Sequence, residues 1–354
     1  MIFRVIVTAT AVFFAVIMLS GCDIFAGETR VIEVPARQEA QQAPQREQRP
    51  AQAAEPTEPE EPPVILPKAA FIAASLDDGS QLFLAQEFLR FSSDFDIQVS
   101  VYDGELCPET QFYAITNAIA ERYDIIILYP VHAESATPAI RRAFEEGIHI
   151  GVLFEDLSGN SQRLRRFYIG FDDFMGAEQA GLYVAENFPE GAGFAEVGGF
   201  EGSIEQLDRR DGFRAGIYGA DPPIVQVASR NTPIGWSEHE ALAIVRDFLT
   251  RYRARIDIIF CHWDVASAAV METFQTYGID DIYVVAFGGF GDFESALLGE
   301  NAIAVTRDYT QMAYLALEYS NLLLHGGFVP PISIVPMEII RFESALPEEP
   351  LPED

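Results

Sequence analysis

The sequence predicts an α/β fold of two doubly wound lobes, each a parallel sheet covered by helices on both faces. From residue 69 onward, short runs that are apolar throughout alternate with segments of helical length, as expected for strands buried on both faces. About nine or ten such strands are present, more than one doubly wound sheet holds comfortably. The length of 354 residues also favours two domains.

The predicted elements alternate regularly along the chain. In the first half, strands are predicted at 69–76, 97–102, 125–129 and 148–154, and helices at 81–91, 109–122 and 138–146. Within 81–91, Leu82, Phe83, Phe88 and Leu89 recur at helical spacing. In the second half, strands are predicted at 193–197, 224–228, 258–261 and 283–287, and helices at 174–187, 204–218, 237–252 and 266–277.

Residues 1–21 have the features of a secretory signal peptide. Arg4 supplies a positive charge, and residues 5–18 form an uncharged, mostly apolar stretch that is too short for a transmembrane helix. The stretch ends in Leu19-Ser20-Gly21-Cys22, which resembles the bacterial lipobox. The resemblance implies cleavage before Cys22 and lipid attachment to that residue. More than one acyl chain at this position would anchor the mature protein stably to a membrane.

The segment 22–68 is expected to consist of the lipidated Cys22 and a disordered tether. Between residues 33 and 67 the chain is dominated by Pro, Gln, Glu and Ala, which bury too little apolar surface to offset the entropy of ordering. A flexible coil of this length spans about 35–40 Å, which lets a folded body move above a membrane. Residues 343–354 are rich in Pro and Glu and are expected to be a disordered acidic tail.

The charge balance and the absent motifs exclude several functional classes. Asp and Glu number 54 against 23 Lys and Arg, so the net charge of −31 repels nucleic-acid phosphate. The five histidines lack the spacing of a metal site. Neither a G-x-S-x-G elbow nor a P-loop is present. No catalytic residue, metal or cofactor is therefore expected, although the paired acids Glu155 and Asp156 leave a glycoside hydrolase as a remote alternative.

Candidate ligand-binding residues lie where the predicted strands end. In parallel sheets, the loops at the carboxyl ends of the strands meet helix N-termini, and ligands bind there. These loops mix carboxylates, amides and aromatic rings, a combination that suits a ligand with several hydroxyl groups and apolar C–H faces. The candidates are Asp77, Asp78, Gln81, Tyr129, Phe154, Glu155, Trp263, Asp264 and Arg307.

Several candidates also have purely structural interpretations. Asp77 or Asp78 could cap the helix predicted at 81–91. Trp263 could pack inside the second lobe instead of stacking on ligand, and Asp264 is expected to be the N-cap of the helix predicted at 266–277. Arg307 could form a salt bridge with Asp308 or its neighbours instead of binding a ligand carboxylate or hydroxyl.

Six segments of the body carry a family resemblance through their order and spacing. They are DIIILYPV (124–131), YIGFDD (168–173), GS with RRDGF (202–203 and 209–213), IFCHWD (259–264), VVAFGG (284–289) and NAIAV (301–305). Together they resemble the type I periplasmic binding proteins of the ribose/galactose class over residues 69–342. The resemblance implies a lobe of 69–170 with 307–327 and a lobe of 171–306 with 329–342, joined by a three-strand hinge.

The resemblance fails at the positions that grip sugar in this family. It places Trp263 where the family has Asn, Gly288 where it has Asp, Phe154-Glu155 where it has Asp-Arg, Leu207 where it has Arg, and Arg307 where it has Gln. Ribose itself is therefore not the expected ligand. The acid-rich loops favour a neutral sugar or polyol first, a cationic ligand second and a sugar phosphate last.

The resemblance implies a lipid-anchored substrate-binding protein that feeds an ABC importer from the bacterial cell envelope. Ligand would bridge both lobes and shift the protein from an open to a closed form. The expected partners are a small ligand, the importer permease and, through the anchor, the membrane, with the protein itself a monomer. The alternative is a sensory lipoprotein that presents its ligand to a membrane receptor or kinase.

Overall fold

The computed structural model describes residues 31–32, 65–233, 236–288 and 301–341, in which apolar strands and helices alternate as the sequence predicts. The predicted signal peptide, Cys22, most of the tether and the tail at 343–354 lie outside these residues. Among the described helices, none has the length and apolar character needed to cross a membrane.

The first lobe is built on a seven-stranded sheet with the order β1-β3-β2-β4-β5-β6-β12. The strands are β1 (Val31–Ile32), β2 (Lys68–Ala73), β3 (Gln98–Asp103), β4 (Ile125–Leu128), β5 (His149–Leu153), β6 (Phe167–Phe171) and β12 (Ser333–Val335). All neighbours are parallel except β1, which is antiparallel to β3. The helices that pack on the two faces are α1 (Gly79–Phe91), α2 (Pro108–Ala120), α3 (Thr137–Glu145) and α8 (Tyr309–Leu324).

The second lobe is built on a six-stranded sheet with the order β13-β11-β10-β9-β7-β8. Its strands are β7 (Ala192–Phe200), β8 (Ile224–Thr232), β9 (Ile258–Cys261), β10 (Tyr283–Phe287), β11 (Ala302–Arg307) and β13 (Met337–Arg341). Only β13 runs antiparallel to its neighbour, β11. The helices that pack on it are α4 (Asp173–Asn187), α5 (Ile204–Ile217), α6 (Glu238–Tyr252) and α7 (Asp264–Tyr277). The predicted fold class of two doubly wound lobes is confirmed.

The strand β4 shows why the sequence reads as unbroken apolar runs. All four of its residues are buried, because helices cover both faces of the sheet. Ile125 and Ile127 pack against the helices α1 and α8, whereas Ile126 and Leu128 pack against α2 and α3. Each such side chain contributes about 1.5–3 kcal/mol through its burial.

The segment 329–342, expected as a whole in the second lobe, is divided between the two sheets. Strand β12 pairs with β6 of the first sheet, and β13 pairs with β11 of the second. Pro336 lies between them, and it lacks the N–H that a continuous strand would need. The chain therefore crosses between the lobes three times, after β6, after β11 and after β12.

Two other expected boundaries also differ from the structure. Arg307, expected to begin the return to the first lobe, is the last residue of β11 in the second sheet, where it is aligned with Met337. Lys68, expected to end the tether, begins β2 because its backbone aligns with Gln98 of β3. The β-branched pair Val31-Ile32, also expected within the tether, forms the edge strand β1, which is antiparallel to β3.

Candidate functional site

A cavity of about 280 Å³ lies between the two lobes, at the carboxyl ends of their strands. Seven of the nine sequence candidates line it, namely Asp77, Asp78, Tyr129, Phe154, Trp263, Asp264 and Arg307. Gln81 and Glu155 do not. The volume lies just below the range of about 300–1,000 Å³ that drug-sized ligands occupy, so the space suits a ligand of about one sugar ring.

The first-lobe wall is shaped by the loop between β2 and α1. Asp78 caps α1, since its Oδ1 accepts hydrogen bonds from the backbone N–H groups of Ser80 at 2.9 Å and Gln81 at 3.1 Å. The side chain of Gln81 is buried, and its Oε1 accepts from the N–H groups of Ala74 at 2.8 Å and Ser75 at 3.1 Å. Gln81 therefore fixes the loop from behind and leaves the cavity to its neighbours.

Phe154 holds an aromatic ring at the centre of the first-lobe wall. Its ring stacks between those of Tyr129, at a centroid distance of 5.0 Å, and Tyr309, at 6.4 Å. Its backbone is left-handed, with φ of 67°, a costly conformation for a bulky residue. The strand end holds it there, because its N–H donates to Ile169 at 2.9 Å and its C=O accepts from the Tyr168 hydroxyl at 2.6 Å. Glu155, the next residue, is exposed outside the cavity.

The second-lobe wall contains a buried ion cluster of Asp173, Arg209 and Arg307. Asp173, at the start of α4, accepts a hydrogen bond from Arg307 through Oδ1 and one from Arg209 through Oδ2, the latter at 3.4 Å. Arg209 also donates to the carbonyl oxygen of His262. Arg307 thus forms an ion pair, as the salt-bridge interpretation proposed, but its partner is Asp173. Asp308, the partner named in that interpretation, instead caps α8.

The cluster remains ionised although it is buried. Burial alone would raise the pKa of Asp173, but the two arginines outweigh it and lower that pKa below its usual range. Burial likewise opposes the charge of Arg307, and Asp173 outweighs it, so the pKa of Arg307 is raised. For Arg209, burial dominates and the pKa is lowered.

Aromatic rings enclose both guanidinium groups. The Arg209 guanidinium lies 4.7 Å from the ring centroid of Phe287 and 5.0 Å from that of Trp236. The Arg307 guanidinium lies 4.5 Å from the ring centroid of Phe154 in the first lobe. Within the described residues, the Nε atoms of both arginines are buried without a hydrogen-bond partner. Cation–π attraction thus stabilises both charges and links the walls at Arg307.

Two further carboxylates, Glu205 and Asp264, belong to the second-lobe wall. Glu205 lies in the first turn of α5, four residues before Arg209 and so on the same helix face. Burial raises the pKa of both carboxyl groups, and Asp78 adds to the effect at Asp264. The expected N-cap role of Asp264 is wrong, because α7 begins at Asp264 itself and the cap position is Trp263.

Trp263 is both a wall of the cavity and part of the second-lobe core. Its side chain is 7 % exposed and belongs to the cluster beneath α6 and α7. Its ring meets that of Trp236 edge to face, with centroids 5.5 Å apart. Its backbone C=O accepts from the N–H of Ser267 at 3.1 Å, and the helix starts two residues earlier than expected. The packing interpretation is therefore realised, and the stacking role stays a prediction.

A second buried pair lies behind the ion cluster. The Nε2 atom of His262 is 3.1 Å from Oε1 of Glu196, and the Oε2 of Glu196 accepts from Ser229 at 3.0 Å and Arg214 at 3.3 Å. Burial lowers the pKa of His262 in spite of its carboxylate partner. Burial opposes the charge of Glu196, but the hydrogen bond to His262 and the nearby charges lower its pKa. The contact between His262 and Glu196 thus helps to fix the position of the His262 backbone carbonyl, which accepts the hydrogen bond from Arg209.

Several residues of the cavity wall are absent from the sequence candidates. They are Ser80, Glu205, Arg209, Trp236, Phe287 and Tyr309. A signal existed for two of them, since Glu205 and Arg209 share one face of a helix that begins directly after a strand end. Among the described residues, no group of three or more His, Cys, Asp or Glu side chains is placed to hold a metal ion.

The fold and the cavity define a two-lobed α/β protein that binds a small molecule between its lobes. Residues 70–327 match the family model described as "Periplasmic binding protein domain", and the chain belongs to this family. The match confirms the resemblance to the type I proteins of the ribose/galactose class. The relatives and solved structures that the chain resembles are substrate-binding proteins and not enzymes.

Curated relatives and solved structures agree with this assignment. The chain is 22% identical over 253 residues to the ribose import binding protein RbsB of Escherichia coli strain K12, covering 71% of this chain and 80% of that protein. A solved ABC transporter periplasmic solute binding protein from Actinobacillus succinogenes 130z with bound D-allose superposes with a TM-score of 0.70 at 20% identity, covering 78% of this chain and 97% of that one.

A second solved structure shares the same fold. The Caulobacter myo-inositol binding protein bound to myo-inositol superposes with a TM-score of 0.67 at 16% identity, covering 77% of this chain and 93% of the other. At these identities the solved structures show the fold of this chain. The residues that line its cavity must identify the ligand.

Proposed function

We propose that this protein is the lipid-anchored substrate-binding component of an ABC importer and captures one small polyhydroxylated molecule between its lobes. The observation that carries the proposal is the cavity, whose walls come from both lobes. A ligand there makes its full set of contacts only when the lobes are closed, so binding shifts the equilibrium towards the closed form. The importer permease can then distinguish loaded from empty protein by its shape.

The cavity wall supports a polyhydroxylated ligand. Guanidinium groups donate to hydroxyl oxygens and carboxylates accept from hydroxyl protons, while the rings of Tyr129, Phe154 and Trp263 offer faces for C–H groups. The names of the relatives point the same way, since they mention ribose import, D-allose and myo-inositol. The changed sugar-gripping positions argue against ribose itself.

The anchor belongs to the proposal on the strength of the sequence alone. The lipobox-like segment ending at Cys22 and the Pro/Glu/Gln-rich tether support a position of the body at the membrane surface of the cell envelope. The substitution Cys22→Ser should abolish incorporation of a labelled fatty acid into the protein in cells. Labelling of this variant at the level of the unchanged protein would contradict a lipid anchor at Cys22.

A ligand screen followed by small-angle X-ray scattering tests the binding function. Sugars and polyols are first screened by thermal shift, where a ligand at about 100 times its Kd adds about 2.7 kcal/mol of stability. The best ligand should then reduce the radius of gyration of a monomeric protein. An unchanged radius at saturation would contradict closure. Stimulation of transport by the ligand, measured with a permease whose gene lies beside that of this protein, supports import. Stimulation of a receptor kinase without transport supports the sensory alternative.

A further inference from the structure

Two carboxylates of the cavity wall form no salt bridge within the described residues. The Glu205 side chain makes no hydrogen bond with any residue that the structure describes, and within the same residues the Asp264 side chain accepts only from the N–H of Val265, at 2.8 Å. Both side chains are half-buried. Withdrawing a carboxylate from water without pairing it is costly, so their interactions are incomplete in the empty cleft.

The two arginines of the wall attract these carboxylates electrostatically but form no salt bridge with them within the described residues. Arg209 and Arg307 share one buried carboxylate, that of Asp173, and aromatic rings cover their faces. With Asp77, Asp78, Glu205 and Asp264 included, five carboxyl groups stand against two guanidinium groups, so acidic groups are in excess around the cavity. The net charge of −31 for the whole chain adds to this negative potential.

We infer that the ligand is a small polyhydroxylated compound that carries a protonated amine, whose ammonium group pairs with Glu205 and Asp264. This inference rests on the proposed function and narrows its ligand class. A hydroxyl group could also donate to these carboxylates, but an ammonium group makes charge-assisted bonds that are about twice as strong and removes part of the excess charge. The rings of Tyr129 and Trp236 in the same wall offer additional faces to a cation. The guanidinium groups are left for the hydroxyl oxygens.

Matched pairs of sugars test the inference by isothermal titration calorimetry on the full-length protein in detergent. The pairs are D-glucosamine with D-glucose, D-galactosamine with D-galactose and D-mannosamine with D-mannose, which differ only by an ammonium group in place of one hydroxyl. In at least one pair the amine should bind 10-fold more tightly or better. If a neutral sugar binds as tightly as its amine or more tightly, the inference is wrong and the proposed function stands. If none of the six binds, the inference is wrong, and the thermal-shift screen of sugars and polyols decides the proposed function.

Variants locate the ammonium group. Glu205→Gln and Asp264→Asn should each weaken binding of the preferred amine by 10-fold or more, while the affinity for the matched neutral sugar changes less than 3-fold. Glu201→Gln, an exposed carboxylate three residues before α5, is the control and should change neither affinity. Equal losses for the amine and the neutral sugar in both variants would mean that the carboxylates only shape the wall, which overturns the inference. Circular dichroism melting curves establish that each variant is folded.

Discussion

The two walls of the cleft are stabilised in different ways. On the first-lobe wall, Asp77 and Asp78 are exposed, and the polar contacts of Asp78 are made to neighbours two and three residues along the chain. On the second-lobe wall, Asp173, Arg209 and Arg307 are buried and bonded to one another across separations of 36 and 134 residues.

This difference separates binding from folding. A side chain that is held by its own loop can be changed at little cost to the rest of the lobe. A buried charge that neutralises two others cannot, because its loss leaves uncompensated charges in an apolar environment. We therefore expect substitutions on the second-lobe wall to lower the free energy of unfolding, and substitutions on the first-lobe wall to act mainly on ligand affinity.

The largest expected effect is that of Asp173→Asn. The substitution keeps the shape of the side chain but leaves Arg209 and Arg307 buried without the carboxylate with which both form salt bridges. The free energy of unfolding, measured by urea denaturation, should fall by about 3–5 kcal/mol.

Asp211→Asn is the matched control, because Asp211 pairs with Arg210 at 2.8 Å on the exposed side of α5. Loss of a surface ion pair should cost no more than about 1 kcal/mol. Equal effects of the two substitutions would contradict the view that buried charge stabilises the second-lobe wall.

The substitution Trp263→Ala tests a residue that belongs both to the cavity wall and to the core of the second lobe. It removes an indole packed on Trp236 and beneath α6 and α7, and should cost about 3 kcal/mol of folding free energy. The value lies at the lower end of the range for tryptophan because one side of the indole already borders the cavity. Measuring ligand affinity on the same variant sharpens the comparison: a large loss of stability with unchanged affinity would exclude a stacking role for Trp263.

Acid should weaken the second lobe through His262. Burial holds the pKa of the folded-state ring below the value of about 6.5 expected in the unfolded chain, so below that pH the unfolded state takes up a proton first. The free energy of unfolding should then fall by up to about 1.4 kcal/mol per pH unit as the pH falls below about 6.5. His262→Asn should show a smaller slope over this range, whereas His325→Asn, at an exposed site, should keep it. Identical slopes in all three proteins would exclude His262 as the cause.

The same contrast explains what the sequence could predict. Tyr129 and Phe154 directly follow apolar strands, and Asp77 lies four residues after one, so their place at the cleft follows from local pattern and the topology of parallel sheets. Asp173 and Arg209 lie within helices, and their meeting depends on how α4 and α5 pack, which no local pattern encodes.

Two expectations at predicted helix starts, a ligand contact for Gln81 and an N-cap role for Asp264, differ from the structure for a related reason. Gln81 and Asp264 both lie near a helix N-terminus that follows a strand, where a polar side chain can face the ligand, the backbone or the preceding loop. The side-chain oxygen of Gln81 accepts hydrogen bonds from two backbone N–H groups in the loop after β2. The Gln81 side chain therefore points away from the cavity. Residue type and position in the sequence do not predict which way such a side chain points. Its orientation depends on which backbone N–H groups nearby need an acceptor, and this is determined only when the chain is folded.

The smallest expected effect belongs to the first-lobe wall, at Asp78. Asp78→Ala removes the cap of α1 and should lower the free energy of unfolding by about 1 kcal/mol. Asp78→Ser restores capping but not the carboxylate, so it should recover most of that stability, and any loss of ligand affinity that persists belongs to the carboxylate. Asp77→Ala, next to the cap, should change stability by less than about 0.5 kcal/mol. Urea denaturation and calorimetry on the three variants give both quantities, and a loss of about 3 kcal/mol at Asp78 would show that the two walls are not stabilised differently after all.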